Sequence, residues 1–139
     1  MKKLFTPILL ILALVICLSA CGKTVDVGAL WEDAIYLEDT ALGEGEKTVT
    51  VEVKVEDHSV TFTIKTDKAI LGEALMEHSL LEGDEGPYGL YVKKVNGITA
   101  DYDVDQSYWG FYKNGEYMMT GIDMTEFADG EHYELVYTK

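Results

Sequence analysis

An α+β fold, a mixed sheet with one helix packed on one face, is predicted by three observations. "KTVTVEVKVEDHSVTFTIKT" (47–66) alternates apolar and polar residues on both sides of a turn. "KAILGEALMEHSLLEG" (68–83) changes to helical spacing, and "YWGFYKNGEYMM" (108–119) returns to strand chemistry with Asn-Gly at its centre. A single helix among several strands can cover only one sheet face, so the other stays turned toward solvent.

The chain opens on Lys2 and Lys3, then a run from Leu4 to Leu18 that only Thr6, Pro7 and Cys17 interrupt. About 15 apolar residues fall short of the roughly 20 that span a bilayer. Leu18-Ser19-Ala20-Cys21 ends the run as a lipobox, with small residues before the cut and a cysteine after it. Residues 1–20 are therefore expected to be a lipoprotein signal peptide, with Cys21 the lipidation site. Residues 21–30 are expected to be a tether, and 31–139 one folded domain. The expected localisation is the extracytoplasmic face of the cell membrane, held by the lipid.

"WEDAIYL" (31–37) reads as a first strand and "EDTALGEGE" (38–46) as an acidic turn. In the next run Val49, Val51, Val53 and Val55 share one face, and Thr48, Thr50, Glu52 and Lys54 the other. "EDHS" turns the chain, and Val60, Phe62 and Ile64 return on the buried side. Asp67 suits an N-cap, Ile70, Leu71, Ala74, Leu75 and Leu81 carry the helix, and Gly83 stops it. Gly72 weakens that helix in exchange for close approach of a strand. "EGDEGP" (82–87) reads as an acidic loop and "YGLYVKKVNGI" (88–98) as a strand closed by Asn96-Gly97. Asn114-Gly115 then fixes a two-residue hairpin, pairing Lys113 with Glu116, Tyr112 with Tyr117, Phe111 with Met118 and Gly110 with Met119. "GIDMTEFADGEH" (121–132) holds a helical turn and an Asp129-Gly130 turn before the closing strand "YELVYT". Strand, hairpin, helix and further strands make a β-grasp-like order.

Pleating of the Asn-Gly hairpin puts Trp109, Phe111 and Met118 on one face and Tyr108, Gly110, Tyr112, Tyr117 and Met119 on the other. The larger hydrophobes are expected under the helix. Tyr108, Tyr112, Tyr117 and Met119 are then the candidate ligand-binding residues, with a gap at Gly110, because phenols join broad contact area to a polar tip. Ordinary cross-strand pairing is the plainer reading of the same rings.

Net charge is −14, and removal of residues 1–20 takes away two lysines and no acids, lowering it to −16. All eleven basic residues are lysines, which argues against nucleic acid, since phosphate binding rests on Lys and Arg. With Cys17 in the signal and Cys21 lipidated, neither a disulfide nor a Cys-based metal site is expected in the domain. Asp101, Asp103 and Asp105 alternate as in a calcium loop, but Gln106 and Tyr112 stand where that loop needs Gly and Glu. A solvated acidic loop is expected. His58, His78 and His132 share no ligand spacing and stand in no nucleophile motif, so neither a metal nor enzyme activity is expected.

Asn96-Gly97-Ile98, Tyr108-Trp109, Asn114-Gly115, Gly121-Ile122 and Asp129-Gly130 before the last strand resemble the transcobalamin-like C-terminal domain family. The resemblance covers residues from about 47 to 139. It implies a β-grasp domain of the soluble-ligand-binding type, and bacterial members are mostly surface or secreted proteins of unassigned function. In animal cobalamin carriers such a domain forms one wall around a corrinoid and a large α/α-barrel the other, which 119 residues cannot contain. The expectation is a non-enzymatic binding module that takes a small ligand such as cobalamin or another corrinoid and presents it to a transport partner. An envelope protein bound through a protein-interaction or adhesion surface is the alternative.

Overall fold

The computed structural model describes residues 28–139. The expected signal peptide, Cys21 and most of the 21–30 tether lie outside the described residues. The β2 strand (Lys47–Val55) and β3 (His58–Thr66) form the predicted hairpin, with their alternating valines, Phe62 and Ile64 fully buried. They belong to a six-stranded sheet with β1 (Thr40–Leu42), β7 (Tyr108–Lys113), β8 (Glu116–Tyr117) and β9 (His132–Thr138), in the order β1-β3-β2-β9-β7-β8. The β1/β3 and β2/β9 pairs are parallel and the others antiparallel, so the sheet is mixed.

A second, three-stranded antiparallel sheet is built from β4 (Leu81–Gly86), β5 (Gly89–Val95) and β6 (Ile98–Thr99). The acidic stretch expected as a loop is β4: Glu82 and Asp84 lie across from β5 and form ion pairs with Lys94 (3.5 Å) and Lys93 (2.9 Å). Glu82 meets the facing Lys94, and Asp84, opposite Tyr91, reaches diagonally to Lys93. Gly83 does not end a helix; it sits at a β-bulge where a Cβ would lie 2.1 Å from the Tyr91 carbonyl oxygen.

The helix α1 (Leu71–Met76) is shorter than its periodicity suggests. Its start is displaced because the backbone at 69–71 pairs elsewhere. The Leu71 N–H donates to the Thr125 carbonyl, Phe127 N–H donates to Ala69, and Ile70 bridges Glu126. Asp67 instead accepts from the Glu46 N–H at 2.9 Å. The helix still buries Leu71, Ala74 and Leu75 in a core shared with Val51, Phe62 and Leu135. Gly72 admits the 3₁₀ turn Ile122–Met124 rather than a strand; its Cβ would stand 3.1 Å from Asp123 Cα.

The lead-in corrects the expected first strand. Trp31 sits in a 3₁₀ turn, Ala29–Asp33, and its indole donates to the Val55 carbonyl at 3.2 Å. The buried Asn96 side chain grips both backbone groups of Tyr36, at 3.0 and 2.9 Å, so these residues have no ladder to join. The β1 strand falls later, inside the stretch read as an acidic turn.

Candidate functional site

Asn114 (φ 49°) and Gly115 (φ 82°) make the turn that positions the aromatic hairpin. Tyr112 pairs with Tyr117 and Lys113 with Glu116, and the Met118 N–H donates to the Phe111 carbonyl at 2.9 Å. There the strands part. Met119 does not face Gly110; β8 has ended, and Met119 is 92% exposed. Pairing of Trp109 with Tyr137 and Phe111 with Leu135 puts both rings on the inner face of the sheet, while Tyr108 and Tyr112 oppose Thr138 and Glu134 outside.

This divergence leaves a cleft of about 520 Å3. Its sheet side is the inner face of β7 and β9, through Trp109, Phe111 and Leu135. Leu90, Tyr91 and Val92 of β5 face them, and Tyr117 through Ile122 close a third side. Tyr102, from the single-turn helix α2 (Tyr102–Asp105), and Tyr108 complete the lining. Of the expected site residues, Tyr108, Tyr117 and Met119 line this cleft and Tyr112 does not. The gap expected at Gly110 is filled by the protein itself: a Cβ on Gly110 would lie 2.9 Å from Tyr112 Cε2. The Tyr112 ring covers the glycine and meets Tyr117 edge-on, with centroids 5.6 Å apart. Alternation alone cannot reveal that filling, nor that β5, from the other sheet, supplies the facing wall.

No lining residue carries a charge, although acids flank the lining at Asp101, Asp103, Glu116 and Asp123. Asp123 Oδ2 accepts the Leu90 N–H at 3.1 Å, tying the 122–124 turn to the start of β5 and so joining two walls. The acids of the stretch expected as a solvated acidic loop, Asp101 and Asp105 among them, are engaged separately. Asp101 caps α2 by accepting from the Asp103 N–H at 3.1 Å, while Asp105 accepts from Ser107 and pairs with Lys139. The Ser107 hydrogen bonds hold the Asp105 carboxyl below its ordinary range. The hydrogen bond from Lys93 to Asp84, with the attraction between their charges, pushes the Lys93 ammonium above its own. Among the described residues no group of three or more His, Cys, Asp or Glu stands ready to hold a metal ion.

At the far end of the hairpin, Glu131 accepts from the Tyr133 hydroxyl and pairs with Lys113 at 2.9 Å. The Tyr133 hydrogen bond first, and then Lys113, hold the Glu131 carboxyl below its ordinary value. Burial, and then the bond to Glu131, push the Tyr133 phenol up.

Residues 69–139 match the model of a family described as a domain of unknown function, DUF4430. No curated protein matches the chain. Among solved structures, a candidate metal-binding protein from Ruminococcus gnavus ATCC 29149 superposes with a TM-score of 0.64 at 38% identity, over 68% of this chain and 98% of that one. Haptocorrin in complex with Cbi superposes with a TM-score of 0.51 at 19% identity, over 67% of this chain and 25% of haptocorrin, a likeness of fold.

Proposed function

Because the chain belongs to the DUF4430 family of transcobalamin-like domains, we propose that it is a lipid-anchored extracytoplasmic binding module, not an enzyme. In this reading residues 1–20 are the signal, Cys21 the anchor, 21–30 the tether and 31–139 a domain of the β-grasp type. Its ligand is a small molecule such as a corrinoid, presented to a transport partner. One observation carries the reading: a cleft within the size range of ligand pockets, lined by rings and methionines and free of charge, in a chain that is 26% charged. It is supported by the solved neighbours, one named as a metal-binding protein and the other, haptocorrin, in complex with Cbi.

Titration with cobinamide tests this directly through the corrin absorption bands. Binding shifts them, and Tyr108→Ala with Tyr117→Ala weakens binding about tenfold or more, since the rings supply contact area. Tyr117 meets Tyr112 edge-on, so the double variant should melt about 4 °C lower, the loss of one aromatic pair, and stay folded because both side chains are exposed. Unshifted bands would exclude a corrinoid, and a double variant that binds normally would exclude the cleft. An envelope protein is the second reading. It is favoured by Tyr88, which is 97% exposed two residues from the lining residue Leu90, and by the exposed Met119.

A further inference from the structure

The β7 strand runs for six residues, Tyr108–Lys113, but its neighbour β8 for only two, Glu116–Tyr117. The Met118 N–H, donating to the Phe111 carbonyl, makes the last bond between them. Backbone groups of a strand point alternately to its two flanks. The Asn114 N–H donates to the His132 carbonyl at 3.4 Å, so Tyr108, Gly110 and Tyr112 turn their backbone groups to β9. Trp109, two residues before Phe111, turns its N–H and C=O to the β8 side. Had the hairpin continued in register, Thr120 would face Trp109. The chain instead leaves toward the 122–124 turn, and among the described residues no strand pairs with that flank of β7 beyond Phe111. The cleft, lined by Tyr108, Trp109, Phe111 and residues 117–122, takes the vacated place. An unpaired strand edge is a template for another chain.

We infer that β7 takes an added strand here: an extended segment of a partner protein, with one apolar residue between basic ones, seats that residue opposite Trp109. This rests on the envelope-protein reading of the cleft and gives the chemistry of the partner. The incoming residue exchanges two backbone hydrogen bonds with Trp109, donating its N–H to the Trp109 carbonyl and accepting the Trp109 N–H. Facing residues of paired strands share a face, so its side chain enters the inner side of the sheet. There Leu90, Val92, Ile122 and Leu135 form an apolar seat without charge. The residues before and after it project to the outer face. A chain of net charge −14, with Asp101, Asp103, Glu116 and Asp123 flanking the lining, favours lysine or arginine at those outer positions. The free flank spans Tyr108 to Gly110, about 10 Å, so a three-residue segment fills it.

The probe is the tripeptide acetyl-Lys-Leu-Lys-amide, titrated into folded wild-type protein and followed by 15N-correlated NMR. It should move the Trp109 backbone amide signal downfield. N-methylation of the leucine removes the donor to Trp109 and should weaken binding about five- to tenfold, the size of one hydrogen bond. N-methylation of the first lysine, whose N–H points away from β7, should leave affinity within about twofold. Alanine in place of the leucine should cost about tenfold or more through lost apolar contact. In the free protein the Trp109 amide should exchange with deuterium faster than those of Gly110 and Tyr112. A Trp109 amide protected as well as theirs would show the flank already filled and overturn the inference. Equal losses from the two N-methyl peptides would overturn it too, as would no binding at about 10 mM peptide. Corrin bands that stay put while the peptide binds would remove the corrinoid and leave the added strand. Bands that shift while the peptide fails would leave the cleft a small-molecule site and remove the strand.

Discussion

Tyr112 shows how one residue can satisfy a pattern and miss the site. Its strand parity puts it with Tyr108 and Tyr117, yet its ring lies over Gly110, where it makes up for the missing side chain, and does not reach the cleft. Tyr112→Ala should therefore cost about 1 kcal/mol, the size of an aromatic pair, and lower the melting temperature by about 4 °C. Cobinamide affinity should stay within about twofold, which a titration alongside the melting curve will check. Glu131 sets a second expectation. Its folded pKa lies below the ordinary 4.5, so its contribution is fully present above that value and lost as pH falls through the folded one. Glu131→Gln should flatten the dependence of melting temperature on pH between roughly pH 5 and 3, as measured by circular dichroism. An unchanged slope would mean that other carboxylates govern acid unfolding. Neither partnership is visible in sequence, because each depends on where a ring or hydroxyl lands after the strands are paired.

Elements set by their own residues were legible, and those set by distant backbone were not. The 47–66 hairpin and the two Asn-Gly turns follow from alternation and from the left-handed backbone these turns require, and the structure has them where the residues indicate. The helix was readable in kind and not in length. Residues 125–127 take the backbone groups of 69–71, and nothing between 67 and 83 announces them. The β4 strand was hidden because Leu81 alone of its residues is buried, so no apolar alternation marks it, and backbone pairing with β5 holds it in place. Gly72 offers a test with opposed effects. Alanine gains about 1 kcal/mol of helix propensity, yet its Cβ would press on the Asp123 Cα and the Ile122 carbonyl at 3.1 and 3.2 Å, both backbone. Gly72→Ala should lower the melting temperature despite the propensity gain. Because the 122–124 turn also borders the cleft through Ile122, cobinamide affinity should fall as well. A stabilised variant would show that this turn yields easily.

At the scale of the molecule, the family match begins at residue 69, while β2 and β3, which precede it, sit in the middle of the larger sheet. A fragment of residues 69–139 would leave one edge of β9 bare and remove the buried valines of β2. It should show no cooperative thermal transition, whereas residues 28–139 should melt in one step, as differential scanning calorimetry can establish. The α+β class was legible because one helical run stands among many strands. The division into two sheets, and with it the place of the cleft, was not, since strand order across sheets is decided by long-range pairing. The position of β9 also bears on synthesis. The last strand of the described chain lies between β2 and β7, both made earlier. While the ribosome is still extending the polypeptide, each half of that sheet waits with an unfilled edge, so the nascent chain cannot lock into its final form before residues 132–138 emerge. Until then its two half-sheets stay open, and the chain is finished by its own last strand.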